Sequence, residues 1–375
     1  MSARAIGVLA TAAVAVAAIV LATSSGSGSP EDEDVPRGFY GTVSQTPLTA
    51  QDFARMGEGR VGTLRILLPW STVDSTPASD DLDFSTVDPI VLAAAEHGIR
   101  ILPFLYGTPE WAALELDGRD DCDGDCGPFA PASEAALAAW GEFAGAAVER
   151  YGPGGELWAQ NPDHPAEPIH TWQIWNEQNS ATFYKPEPSI AGYLSLLESA
   201  ERAIHAEDPE AEIILGGMFG TPPDAGESAD NAWAYLRGMY EAEGARDLFD
   251  GVASHPYAAN MGKVESQVEL LHDEIVRAED SGAGLWVTEL GWASSGPDHP
   301  LNRGPEGQAE RLTEAFDLLL DHREDWNVES VIWYSWRDFT DPPLCDWCGG
   351  SGLFAEDALD PKPSWTAFTE FTGGS

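Results

Sequence analysis

Two glutamates carry the first chemical signal in this 375-residue chain. Glu177 ends the stretch Thr171-Trp-Gln-Ile-Trp-Asn-Glu177, and Glu289 lies inside Leu285-Trp-Val-Thr-Glu-Leu-Gly-Trp292. Each acid follows an apolar, aromatic run that reads as a buried strand. A carboxylate at the exit of such a strand is costly unless it is solvated, paired or chemically employed. Either glutamate alone is explained equally well by a structural ion pair. Two at the ends of two strands are sufficient to cleave a glycosidic bond, one giving a proton to the leaving oxygen and the other attacking as nucleophile or base.

Such groups need a scaffold that brings strand ends together. β-rich runs recur near 38–43, 62–69, 99–106, 169–176, 212–218, 250–256, 284–290 and 328–336, each followed by a segment with helical spacing. The clearest helices are 86–97, 132–151, 189–206, 263–279 and 306–323, and a last one is expected near 363–372. In 306–323, Ala309, Leu312, Ala315, Phe316, Leu319 and Leu320 recur at three- and four-residue steps. Eight strand–helix alternations imply parallel strands with crossover helices, and a single (β/α)8 TIM barrel is the economical arrangement. A doubly wound sheet is the competing topology, but Gly41-Thr-Val-Ser44 after the first strand is no phosphate loop. In a barrel, strand C-terminal ends converge on one mouth. Simple alternation groups Glu177 with Trp175 and Gln173, and Glu289 with Val287 and Leu285.

In this order and setting the two motifs resemble the clan A glycoside hydrolases, whose acid/base lies in Trp-Asn-Glu on strand 4 and whose nucleophile lies in Thr-Glu-Leu/Phe-Gly on strand 7. The family most similar is family 39 with the related bacterial exopolysaccharide hydrolases, and family 5 is second. The resemblance implies Glu177 as acid/base, Glu289 as nucleophile, and net retention of configuration. It implies that Asn176 binds a sugar 2-hydroxyl and that Arg65, in Thr63-Leu-Arg-Ile-Leu-Leu-Pro69, keeps the nucleophile ionised. In Ser254-His-Pro-Tyr257, His255 and Tyr257 correspond to hydrogen-bond partners of nucleophile and sugar. Trp336, in Ile332-Trp-Tyr-Ser-Trp-Arg337, corresponds to a platform under the reacting sugar, and a cis peptide is expected at Ser335–Trp336. Gln178 departs from the Glu-Pro that often continues the motif, which blurs the family rather than the clan. Gly352-Leu-Phe and Pro361-Lys-Pro resemble the tail of these families.

Sugars offer flat C–H faces to aromatic rings. Of the 14 tryptophans, Trp70, Trp111, Trp292, Trp336 and Trp347 fall at or just after strand ends and are expected to line the mouth, whereas Trp140, Trp172, Trp233 and Trp365 read as core. The cysteines form two close pairs, Cys122-Asp-Gly-Asp-Cys126 and Cys345-Asp-Trp-Cys348, in the loops after strands 3 and 8. Local disulfides are favoured, since those loops are not neighbours around an eight-strand ring. Cross-loop pairs and a four-thiolate zinc site are the alternatives. Asp120, Asp121, Asp123 and Asp125 lack the ligand order of a known calcium loop. No metal or cofactor is expected.

The formal charge is −44, from 63 acidic against 19 basic residues. Nucleic acid and anionic membranes are improbable partners for it. The acidity reads as a solvated surface suited to salt, or as a preference for neutral or cationic glycans. The chain opens with Arg4 and an apolar run from Ala5 to Ala22, of which eight residues are Ala, followed by a Ser/Gly stretch and Glu31-Asp-Glu-Asp34. Residues 1–22 read as a signal peptide or N-terminal anchor, 23–36 as a flexible acidic linker, and 37–375 as one catalytic domain. A secreted, monomeric enzyme acting on β-linked carbohydrate is expected, with membrane contact only through an uncleaved N-terminus. An exo-acting β-xylosidase or β-glucosidase, a transglycosidase, and a carbohydrate-binding pseudoenzyme are the alternatives.

Overall fold

A computed structural model describes residues 35–76, 82–221, 231–340, 345–356 and 359–375. The expected signal segment and nearly all of the linker lie outside them. Arg37–Ser375 forms one compact unit. Among the described residues no helix is long and apolar enough to cross a membrane.

Eight parallel strands close on themselves: β1 (Tyr40–Val43), β2 (Thr63–Pro69), β3 (Arg100–Tyr106), β4 (Thr171–Ile174), β5 (Glu212–Leu215), β6 (Gly251–His255), β7 (Gly284–Leu290) and β8 (Val328–Tyr334). β1 pairs with both β2 and β8, and the pairing Ile214↔Gly251 joins β5 to β6 and completes the ring. A two-residue strand, Met218–Phe219, extends the β5 side past a Gly216-Gly217 break and also pairs with β6. After each strand comes a helix: α1 (Ala50–Glu58), α2 (Asp88–Glu96), α3 (Glu134–Tyr151), α4 (Ile190–Glu207), α5 (Ala232–Tyr240), α6 (Met261–Arg277), α7 (Gly304–Asp321) and α8 (Pro363–Thr372). The fold is therefore the single (β/α)8 barrel that the alternation implies.

Local chemistry starts several of these helices. Ser133, Ser189 and Asn260 accept from the backbone amides of Ala136, Gly192 and Lys263, satisfying donors that a helix N-terminus otherwise leaves unpaired. β1, β5 and β6 are buried on both faces, as a covered parallel sheet requires. Inside the barrel, Leu102, Ile214 and Ala253 pack with Trp286. A Cβ on Gly251 would stand 2.8 Å from Ile214 and 2.9 Å from Trp286, so glycine there admits the indole.

Candidate active site

Where β4 ends, the backbone stops alternating. Trp175 (φ 72°) and Glu177 (φ 43°) are both left-handed, a conformation costing roughly 1–3 kcal/mol at a non-glycine residue unless its surroundings enforce it. Here they do. Trp175 donates its backbone N–H to Leu105 and its indole N–H to Phe183, both at 2.9 Å, and its ring packs among Tyr106, Trp140 and Tyr184. The Glu177 amide donates to the Gly217 carbonyl at 3.1 Å. Trp175 is thereby turned toward the helices while Gln173, Asn176 and Glu177 face the barrel axis. The expected grouping of Trp175 with Glu177 is wrong for this reason.

β7 departs from alternation by another route. Val287 pairs with Val331 and Leu290 with Trp333, so three steps on β7 match two on β8. This β-bulge turns both Thr288 and Glu289 inward. Thr288 meets Gln173 and His255, and Glu289 meets Arg65. The expectation that Glu289 shares a face with Val287 and Leu285 fails because the extra residue inverts the count.

The carboxylates are the centre of a dense polar cluster. Arg65, fully buried, donates through Nη1 to Glu289 Oε1 at 2.6 Å, through Nη2 to Asn176 Oδ1 at 2.8 Å and through Nε to Gln173 Oε1 at 2.7 Å. Its guanidinium also lies 4.0 Å from the centre of the Phe104 ring. Tyr257 donates its hydroxyl to Glu289 Oε2 at 3.0 Å. Nδ1 of His255 stands 2.8 Å from Glu177 Oε1 and 3.7 Å from Glu289 Oε2. Of the expected partners, Arg65 and Tyr257 hold the Glu289 carboxylate, whereas the hydrogen bond of His255 goes to Glu177.

Burial and charge set the protonation states around the pair. Burial pushes the Glu289 carboxyl above its ordinary range, against the pull of Arg65's charge and of the bonds from Tyr257 and Arg65. The Tyr257 hydroxyl is driven well up by burial and then by the Glu289 charge, so it remains a donor. His255 is driven well down by burial and by Arg65, so its ring is neutral. Tyr334 and Tyr106 are also pushed up by burial, and both sense the charge of Glu177. Atoms of Glu177, His255 and Glu289 lie within 4.8 Å of one another, a donor set of the kind that suits a divalent ion. The fixed charge of Arg65 against Glu289 opposes a cation at that position.

The expected tryptophans divide differently. Trp336 is fully buried, donates to Asp52 Oδ1 at 2.7 Å and packs on Phe354 and Trp365, so it lies on the helix side and is no platform beside the carboxylates. The cis peptide falls one bond earlier than expected, at Tyr334–Ser335, and the inward aromatic of β8 is Tyr334. Trp292 is buried against Trp333 with its N–H on the Ala258 carbonyl, and Trp70 is buried among Trp111, Trp140 and Phe143. Half-buried Trp111 donates to the Asp74 carbonyl. Trp347 alone of the five reaches the carboxylate cluster, edge-on to Tyr257 with ring centres 5.4 Å apart.

Two recesses are lined in part by Trp347 and by Tyr106. One of 390 Å³ is lined by Ser295, Asp338, Phe339 and Trp347, and one of 510 Å³ by Tyr106, Asp125, Phe183 and Lys185. Both cysteine pairs are closed locally, Cys122–Cys126 and Cys345–Cys348, and among the described residues no cysteine is free. Gln173, Thr288, Tyr334 and Tyr106 are site residues that the motif reading did not single out. Gln173 and Thr288 lay within the motifs themselves, four and one positions before the two glutamates.

No family model matches the chain, and no curated protein does. Solved structures do. A family 39 glycoside hydrolase from the gut symbiont Bacteroides cellulosilyticus WH2 superposes with a TM-score of 0.64 at 21% identity, over 91% of this chain and 64% of that one. A monomeric β-xylosidase from Caulobacter crescentus CB15 gives 0.62 at 19% identity, over 89% and 68%. Xylanase 10B from Thermotoga maritima gives 0.59 at 16%, over 90% and 95%. This chain spans about two thirds of the length of the first two and nearly all of the third. The barrel of this chain is thus the fold shared by family 39 glycoside hydrolases and xylanases.

Proposed function

We propose that the chain is a retaining glycoside hydrolase acting on β-linked polysaccharide or oligosaccharide. The observation that carries this reading is the approach of Glu177 and Glu289, whose nearest ligand oxygens lie within 4.8 Å. Retaining enzymes place the two carboxyl groups about 5–5.5 Å apart, whereas inverting ones need roughly 6.5–9.5 Å to admit a water. In this reading Glu289 attacks the anomeric carbon while Glu177 protonates the departing oxygen. The C–O bond to the leaving sugar breaks as the bond to Glu289 forms. Glu177 then takes a proton from water, which displaces Glu289 and restores the anomeric configuration. Arg65 and Tyr257 hold Glu289 in place and offset its negative charge before attack. We place neighbouring sugars in the recesses lined by Trp347 and by Tyr106. The xylanase and xylosidase neighbours favour a glycan with neutral sugars.

Export is part of the same proposal, with residues 1–22 as the signal and a monomer acting outside the cell. N-terminal analysis of protein recovered from culture medium tests that part. For the chemistry, a panel of aryl β-glycosides and β-linked oligosaccharides is followed by proton NMR. The β-anomer should form first, with the α-anomer appearing only by mutarotation. An α-anomer formed first would contradict retention, and failure across the panel would contradict hydrolysis of β-links.

A further inference from the structure

The polar cluster contains a hydrogen-bond chain whose direction is fixed at its far end, and it decides where protons sit at Glu177. Arg65 Nε can only donate, and it faces one end of the Gln173 amide at 2.7 Å, so that end is the oxygen. The other end is then the NH₂ group. It faces two acceptors, the Leu215 carbonyl at 3.1 Å and Thr288 Oγ1 at 3.2 Å. The Thr288 oxygen could accept from Nε2–H as well as from Gln173, but its own buried proton would then be left unpaired, whereas donating it to His255 Nε2, at 3.0 Å, pairs both groups. Nε2 is therefore an acceptor. In a neutral imidazole the single proton is then on Nδ1, which donates to Glu177 Oε1 at 2.8 Å.

We infer that Gln173 and Thr288 are positioning residues that lock His255 as its Nδ1–H tautomer, so that Glu177 Oε1 always accepts and its transferable proton is carried on Oε2. The ring cannot take that proton onto Nδ1, which is already protonated, so the acid keeps it for the leaving group. Space for the chain is provided by Gly217, where a Cβ would stand 2.0 Å from His255 Nε2 and 2.6 Å from Thr288 Oγ1. The charged and titratable groups facing His255 are Glu177, Glu289, Arg65 and, with ring centres 6.4 Å apart, Tyr257. Because Arg65 also binds Glu289, one guanidinium orients both halves of the site. The catalytic consequence rests on Glu177 being the acid, whereas the placement of the proton does not.

The test is ¹⁵N NMR of the full chain labelled at histidine, with His255→Gln used for assignment. In the wild type, Nδ1 should show a protonated, pyrrole-type resonance and Nε2 a bare, hydrogen-bonded pyridine-type one. Gln173→Glu keeps the shape of the side chain but reverses the chain. The new carboxylate must accept from Thr288, whose oxygen then accepts from Nε2–H, so the two resonance types should exchange. In the same variant the bare Nδ1 accepts from protonated Glu177, and the alkaline limb of kcat/KM should move up by about one pH unit. Thr288→Ser should leave both readouts unchanged. Thr288→Val, should the charged variant not fold, should release the lock, so that both ring nitrogens show tautomer-averaged resonances. An unchanged pair of resonance types in folded Thr288→Val likewise overturns the inference. A protonated Nε2 in the wild type, or an unchanged tautomer in folded Gln173→Glu, overturns the inference. If the tautomers behave as stated but no glycoside is cleaved, the hydrolase reading fails and the proton placement stands.

Discussion

The guanidinium of Arg65 lies 2.6 Å from the carboxylate of Glu289, an ion pair joining β2 to β7 across 224 positions of sequence. The arginine is fully buried and the glutamate side chain 13% exposed, so the pair is screened little by water. Removing one partner of a buried pair leaves the other uncompensated, at a cost of about 3–5 kcal/mol. Arg65→Met should therefore lower the melting temperature. It should also let burial push Glu289 further up, moving the acid limb of the pH–rate profile to higher pH. A loss of roughly 10²–10³ in kcat is expected, as for removal of one charge-stabilising donor elsewhere. An unchanged acid limb would break the link between Arg65 and the charge of Glu289.

His255 gives a stability prediction with a defined sign. Burial, followed by the charge of Arg65, holds its imidazole well below the ordinary value of about 6.5. Below that pH the unfolded chain takes up a proton that the folded chain refuses, so unfolding is favoured as pH falls. The contribution is complete above about pH 6.5 and declines below it. Melting curves of wild type and His255→Gln at pH 7.5 and pH 5.5 isolate this term, because the many surface carboxylates are common to both. The wild-type advantage should shrink at the lower pH. A wider gap at pH 5.5 would mean that the ring is protonated in the folded state.

Two tryptophans expected at the mouth should differ in their effect on KM. Trp347 lies edge-on to Tyr257 beside the carboxylates, and Trp292 is sealed against Trp333. Trp347→Ala should raise KM for an oligosaccharide about tenfold, equivalent to about 1.4 kcal/mol, and should also lower the melting temperature, since the residue is only 9% exposed. Trp292→Phe should leave KM alone and lower stability. The reverse pattern, measured by steady-state kinetics and calorimetry, would return Trp292 to the cleft.

Which features the sequence disclosed follows from how local each is. Eight strand–helix alternations specify a barrel because parallel strands need crossovers, and that inference does not depend on exact boundaries. Glu177 and Glu289 were legible because each ends an apolar run where an acid is out of place. Their orientation was read through two-residue alternation, which holds only for regular strand. Left-handed backbone at Trp175 and Glu177 breaks it in one motif and the bulge at Thr288–Glu289 in the other. Trp336 shows the same limit. The backbone turns at the end of β8, and a buried acceptor, Asp52 of α1, captures the indole together with Arg337. Asp52 is nearly three hundred residues away, and no local pattern announces it. The relay through Gln173 and Thr288 is also tertiary, since its direction depends on which ends of side chains from β2, β4, β6 and β7 meet.

The different roles of the two glutamates are tested most directly by azide rescue on an activated aryl β-glycoside that the wild type accepts. In Glu177→Ala the leaving group departs without a proton, Glu289 still forms the covalent intermediate, and azide replaces the water that has lost its base. The product should be the β-azide, with turnover restored in proportion to azide. In Glu289→Ala there is no covalent route, and azide can enter only from the opposite face, giving at most the α-azide. The same anomer from both variants, or undiminished hydrolysis by either without azide, would contradict the assignment of Glu177 as acid/base and Glu289 as nucleophile.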